Sequence, residues 1–202
     1  MRIEPFVLRG SVVQLEPLSL DHVPALVAAA TEDRSSYGYT PVPDTAAAME
    51  PYVRGLLDEA ARDLVVPFVQ RRLADDTPVG CTRYLDIRYW GGAELPSEVE
   101  IGGTWLAASA QRTPLNSEAK LLLLTHAFEQ WQVQRVAICT DARNRRSRSA
   151  IERLGATFEG VLRNHRLQAG HESVAGAPRD TACYSIVPDE WPSVRARLRG
   201  RA

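Results

Sequence analysis

Gln111, Arg112, Thr113 and Asn116 sit close together in "WLAASAQRTPLNSEAKLLLLTHAFEQW", with no acid before Glu118. A turn needs fewer donors than that. A helix beginning near Asn116 or Ser117 leaves unpaired N–H groups at its positive dipole end, which attracts anions. Arg112 and the hydroxyls of Thr113 and Ser117 add donors suited to phosphate oxygens. A plain helix cap by Asn116 or Ser117 accounts for the same spacing. A second cluster, "DARNRRSRSAIERLG", carries Arg143, Arg145, Arg146, Arg148 and Arg153 against Asp141 and Glu152. It is either a solvated basic face or a second anion site. Ala150, Ile151 and Leu154 give it a buried stripe, and Asn144 and Ser147 fall at a strand end, where open α/β sheets hold ligands. In "EVEIGGTWL", Glu98 and Glu100 share a strand face. Repulsion between them would raise the pKa of one. Glu100 can take a proton directly or through water, unless both acids are ordinary strand-edge charges.

Several elements must position these residues. "FVLRGSVVQLEPL" reads as strand with a turn near Gly10, and Ser19 can cap a helix that Pro24 weakens or kinks. After the turn-rich "SSYGYTPVPD", a helix capped by Thr45 is made irregular by Pro51. "VVPFVQRRL" and "VGCTRYLDIRYW" form a hairpin through "ADDTP", and "EVEIGGTWL" is a third strand. A helix over Ser117–Trp131, the strand "RVAICTDA" and a short helix stopped by Gly155 follow. "TFEGVLRNHRL", a mobile loop "QAGHESVAGAP" and the strand "RDTACYSIV" lead to a C-terminal helix and basic tail over about 189–202. Strands first, then alternating helices and strands, imply one α/β (α+β) domain over 1–202.

The formal net charge of −1 argues against nucleic acid or an anionic membrane as a whole-surface partner. No apolar run approaches the about 20 residues that span a bilayer, and "MRIEPFVLRGS" has no signal-peptide core. Cys81, Cys139 and Cys183 are odd in number, widely spaced and without metal-ligand spacing, so they read as small buried hydrophobes. A cytoplasmic location and no metal are expected. The absence of a Gly-x-Ser-x-Gly elbow opposes a serine hydrolase.

Taken in order, "EIGGTWL", "QRTPLN" and "NRRSRSAIERLGATFEGVLR" resemble the GNAT superfamily of acyl-CoA-dependent N-acyltransferases. Within it they are similar to the RimJ/RimL-like branch, which acetylates protein N-termini. The resemblance spans nearly the whole chain. It implies a central mixed, mostly antiparallel sheet flanked by helices, whose splayed strands form the acyl-CoA cleft. It also implies acetyl-CoA as co-substrate and direct attack on it by a primary amine, from a protein N-terminus or a small molecule, in a ternary complex. A homodimer is a further expectation.

Site residues follow from the same resemblance. Gly103, Thr104 and Trp105 would pair with the pantetheine, and a bulge at Gly102 and Gly103 would aim an N–H at the oxyanion. Gln111, Arg112, Thr113, Leu115, Asn116 and Ser117 would hold the pyrophosphate, Asn144 the pantetheine arm and Ser147 the coenzyme near its sulfur, with Arg146 a further coenzyme-binding residue. Glu100 is the candidate base, Ser147 the group that protonates the thiolate, and Tyr184 a secondary acid. Two departures stand out. Pro114 and Asn116 replace the small residues usual in the pyrophosphate loop, and Pro114 has no N–H to donate. Arg166 stands where some relatives carry a glutamate base, leaving His165 as a substitute. Tyr37, Tyr39, Trp90 and Trp105 are candidates for the acceptor pocket, with Trp105 also suited to the core. The competing readings are an acyl-CoA-binding relative without catalysis and a nucleic-acid module using the arginine helix.

Overall fold

The computed structural model describes residues 3–168, 170, 174 and 176–200. The strands are β1 (Leu8–Arg9), β2 (Val13–Pro17), β3 (Val66–Arg72), β4 (Thr77–Arg88), β5 (Glu98–Leu106), β6 (Arg135–Asp141), β7 (Thr157–Leu167) and β8 (Pro178–Ile186). They form one eight-stranded sheet in the order β1-β2-β3-β4-β5-β6-β8-β7. Every neighbouring pair is antiparallel except β5 and β6. This is the mixed, mostly antiparallel α/β sheet expected from the sequence.

The helices are α1 (Val23–Thr31), α2 (Ala46–Ala61), α3 (Leu115–Thr125), α4 (Arg145–Leu154) and α5 (Trp191–Arg199). Strand alternation shows how they are layered. Tyr84 of β4 donates its hydroxyl to the Leu123 carbonyl of α3. Arg83 and Cys81 point the other way, toward Tyr52 of α2. So α1 and α2 cover one face over β3 and β4, while α3 and its neighbour α5 cover the other. Leu26 and Met49 are fully buried in the first layer, and Leu123, Leu124 and Leu198 are fully buried in the second, on the face that carries Phe68, Tyr84 and Ile101.

Several local expectations shift by a turn. Pro24 does not kink its helix, because it lies in the first turn of α1, where the missing N–H has no intrahelical role. The preceding Ser19 instead opens a short 3-10 turn, Leu20–His22, its N–H donating to His22 Nδ1 at 3.0 Å. Thr45 caps α2 as expected, and α2 continues through Pro51 without a break. The third helix starts at Leu115, not Ser117, and ends in a wider π turn over His126–Gln130. Gly155 ends α4 in the left-handed region, φ 100°. The loop "QAGHESVAGAP" and the final basic tail lie in part outside the described residues. Among the described residues no helix is long and apolar enough to cross a membrane.

The feature that matters most is where β5 and β6 separate. Their parallel ladder registers only Glu98 with Arg135, Val99 with Val136 and Glu100 with Ala137. Beyond that point both strands continue, but apart. On its other edge, β5 fits three steps, Gly102 to Trp105, against two steps of β4, Cys81 to Arg83. Gly103 absorbs the extra residue at φ 58°. A bulge of this kind bends and twists its strand, which carries the end of β5 away from β6.

Candidate active site

The parted strands open toward two helix starts. At α3, Pro114 occupies the cap position and supplies no side-chain cap. Thr113 Oγ1 receives the Leu115 N–H at 3.3 Å and itself donates to the Ala110 carbonyl. Glu118 N–H closes the first turn on the Pro114 carbonyl. Among the described residues no partner is recorded for the N–H groups of Asn116 and Ser117, so they can receive an anion. The Asn116 side-chain oxygen is buried without a partner. Arg112, exposed before the helix, adopts φ 61°, a conformation uncommon for a non-glycine residue.

At α4, Asn144 caps the helix by accepting the Ser147 N–H at 3.0 Å. That occupies its oxygen and leaves its amide donors. Arg146 extends from the first turn of α4 and donates to Gln111 Oε1. Gln111 Nε2 in turn reaches the Leu106 carbonyl at 2.8 Å and Ser36 Oγ at 2.9 Å. The polar loop, the end of β5 and the start of α4 are thus tied around one opening. Ser147 is half-buried on the same turn. Unpaired N–H groups, Arg112 and Arg146 suit phosphate, and the unladdered edge of β5 from Ile101 to Leu106 suits an extended amide chain. Of this edge, Gly103 and Thr104 are half-buried, while the Trp105 ring is core.

Glu100 lies at the vertex of the opening and is 4% exposed. Its carboxylate is held by Arg166 of β7, Nη2–Oε2 2.7 Å and Nη1–Oε1 3.2 Å. Arg166 also grips Asp86 at 2.6 Å. Glu98 and Glu100 are not left as an unpaired couple, because each has its own cation. Glu98 pairs with Arg135 at 3.1 Å and faces Arg88 at 3.7 Å. Arg135 continues to Glu159, whose carboxyl is held below its ordinary range by that arginine's hydrogen bond.

Other candidates are placed elsewhere. Tyr184 is buried on the α4 side of β8, donating to Glu152 Oε1 at 2.9 Å and accepting from Arg148 Nε at 3.0 Å. Its neighbour Cys183 points to the opposite face, the one Glu100 occupies, so the structure does not bring Tyr184 to Glu100. His165 is exposed on β7. Tyr37 is buried; its hydroxyl donates to the Leu106 carbonyl and burial pushes it up to about 12. It anchors the α1–α2 loop instead of facing a pocket. Tyr39 lies under the Arg143 guanidinium at 5.1 Å, and Trp90 is exposed in the turn before β5.

Three features were not anticipated. Arg166 neutralises Glu100, where it had been read only as a missing base. Lys120 of α3 is buried, its Nζ donating to Thr104 Oγ1 at 2.7 Å. Its place on the apolar stripe with Leu123, Leu124 and Ala127 was visible in the helical spacing. Cys139 and Cys183 are half-buried register partners on β6 and β8, Sγ–Sγ 3.7 Å, and only Cys81 is a fully buried thiol. Among the described residues no group of three or more His, Cys, Asp or Glu side chains could hold a metal ion.

Comparison with known proteins agrees with this geometry. Residues 13–157 match the family described as acetyltransferase (GNAT) domain. A protein of Bacillus subtilis (strain 168) named "Putative ribosomal N-acetyltransferase YdaF" is 28% identical over 135 residues, 64% of this chain and 70% of its own length. The crystal structure of a "putative acetyltransferase" from T. thermophilus superposes with TM-score 0.81 at 35% identity, covering 100% of this chain and 99% of that one. Mycobacterium smegmatis RimJ in complex with CoA-disulfide gives TM-score 0.76 at 25% identity, over 98% and 94% of the two chains. The chain belongs to the GNAT acetyltransferase family, with an eight-stranded sheet that parts between β5 and β6.

Proposed function

We propose that this acetyltransferase moves an acetyl group from acetyl-CoA to a primary amine, either a protein N-terminus or a small amine, with both bound at once. The observation that carries the reading is the opening between β5 and β6, with Glu100 at its vertex and two helix starts at its mouth. Similarity to a protein named as a ribosomal N-acetyltransferase, and to RimJ, supports a ribosomal-protein N-terminus as the macromolecular acceptor. The bound thioester supplies the acyl group, and the protein supplies position and proton handling.

Arg112, Arg146 and the N–H groups of Asn116 and Ser117 hold the phosphates. Leu115 packs beneath them, and Gln111 fixes the distance between the two helix starts. Pro114 offers no N–H; Thr113 compensates by ordering the turn before the helix. The edge of β5 at Gly103, Thr104 and Trp105 holds the amide arm, assisted by the Asn144 amide. The bulge at Gly103 turns a backbone N–H toward the reacting carbonyl. Glu100 retains lone pairs beyond those taken by Arg166, and through them orients the amine and accepts its proton, directly or through water. Ser147 returns a proton to the departing sulfur. Tyr184, committed to Arg148 and Glu152, takes no part in this scheme.

The test is a mass-shift screen of N-terminal peptides and small amines with acetyl-CoA, read as a gain of one acetyl group. Tight binding of acetyl-CoA with no acetylated product across the panel would favour an acyl-CoA-binding relative without catalysis.

A further inference from the structure

The face of the sheet that carries Glu100 continues across β6, β8 and β7. Cys139 and Cys183 stand side by side on it, and Arg166 crosses it to reach Glu100. Of the arginines near this face, Arg83 of β4 is turned to Tyr52 of α2, and three are committed to acids: Arg135 to Glu98 and Glu159, Arg143 to Asp141, and Arg166 to Glu100 and Asp86. Arg179 differs. It is the register partner of Arg166 on β8 and is half-buried. Its recorded hydrogen bond runs from Nε to Thr181 Oγ1 at 3.2 Å. No ion pair within 4.0 Å joins it to an acid of the described residues, and among those residues its two terminal nitrogens have no recorded partner.

We infer that Arg179 recognises a carboxylate carried by the acceptor, a few bonds from the amine to be acetylated. The inference rests on the amine-acetylating reading above. A guanidinium offers two parallel donors that match a carboxylate better than a single point charge does. Burial, then the nearby charge of Arg166, hold the Arg179 cation below its ordinary range, with Asp141 and Glu100 acting the other way. An incoming anion relieves both unfavourable effects. The position also separates this arginine from the phosphate-binding pair. Arg112 and Arg146 stand at the starts of α3 and α4, joined through Gln111, whereas Arg179 lies on the strand face beside the Glu100–Arg166 pair. An acceptor bound there would place its amine toward Glu100 and its acid toward β8. A side-chain carboxylate near a peptide N-terminus and the α-carboxylate of a free amino acid both meet this description.

Two acid–amide pairs test it: the peptides Ser-Asp-Ala-Ala amide and Ser-Asn-Ala-Ala amide, and serine with serinamide. Calorimetric binding to the CoA-loaded protein and acetylation with acetyl-CoA are both measured. In at least one pair the acid should bind about tenfold more tightly, about 1.4 kcal/mol. The pair that shows the preference identifies the source of the carboxylate. In Arg179→Gln the ratio should fall to about 1, and Arg179→Lys, which keeps the charge without the fork, should retain part of it. Equal binding of acid and amide in both pairs overturns the inference. So does an unchanged ratio in Arg179→Gln, or a loss that falls on CoA affinity instead. An acid preference in binding with no acetylated product keeps the anion site and sinks the amine-transfer reading. Acetylation without acid preference does the reverse.

Discussion

Arg166 of β7 and Glu100 of β5 form a two-point ion pair across the vertex of the opening, and Asp86 shares the arginine. Glu100 is buried, while the Arg166 side chain keeps 30% of its exposure. Removing one partner of a buried pair leaves an uncompensated charge. Arg166→Met should therefore cost roughly 2–3 kcal/mol, below the full range for a deeply buried pair. Adding Glu100→Gln should restore much of the loss. Urea denaturation of the two single variants and the double variant closes the cycle; strictly additive losses would mean that the pair contributes no coupling.

The same carboxylate has a kinetic signature. Glu100→Gln keeps the shape and loses the proton acceptor, so kcat should fall by about 10²–10⁴ while the KM for acetyl-CoA changes little. Steady-state rates with a fixed acceptor check this. Wild-type turnover would leave Glu100 as a structural partner of Arg166 only.

Coenzyme affinity should depend on the two arginines at the mouth. Arg112→Ala and Arg146→Ala should each raise the KM for acetyl-CoA more than they lower kcat. Arg112 adds a control, since its φ of 61° suits glycine. Arg112→Gly should lose the same affinity as Arg112→Ala yet fold more stably, by up to about 1 kcal/mol. If the glycine variant binds acetyl-CoA as wild type does, the side-chain charge is not at the phosphates.

The succession of strands and helices along the chain, the hairpin and the α4 stop at Gly155 were legible because period-2 alternation and turn residues are local signals. So was the polar loop that leads into α3, whose donors lie within seven residues of each other, Gln111 to Ser117. Long-range pairing was not. Nothing near Arg166 or Arg179 in sequence says that one meets Glu100 and the other meets no acid of the described residues. Glu98 and Glu100 read as a repelling pair because their cations come from β6, β4 and β7. Tyr184 read as a secondary acid from the resemblance, and its commitment to Arg148 and Glu152 of α4 is again long-range.

Gly103 joins backbone geometry to chemistry. It sits at φ 58°, and a Cβ there would come within 2.6 Å of the Arg83 guanidinium. Gly103→Ala should cost about 1–2 kcal/mol for the left-handed backbone and displace the bulge N–H. A fall in kcat of about tenfold is expected, below the roughly 10²–10³ that follows from losing a whole oxyanion donor, because the N–H is displaced and not removed. Thermal unfolding and steady-state kinetics together decide it. A variant that folds with undiminished kcat would show that the bulge shapes the cleft without touching the reacting carbonyl.

Lys120 makes the last prediction, one about pH. Its amine is buried among Thr104 and Thr82 hydroxyls, at 2.7 and 3.4 Å, and no ion pair joins it to an acid of the described residues. Burial pushes it down to about 7 from an ordinary 10.5. Between those values the unfolded chain carries a proton that the folded protein lacks. Raising the pH removes that proton from the unfolded state, so folding stability should climb across the window, by at most about 1.4 kcal/mol per pH unit. Below about 7 both states are protonated and the full cost of burying the charge remains. Lys120→Met should remove this climb and gain most, relative to wild type, at the acid end. Urea denaturation at pH 6, 8 and 9.5 compares the two slopes. Parallel curves would mean that Lys120 keeps its proton in the folded protein, with the two threonine hydroxyls solvating an ammonium.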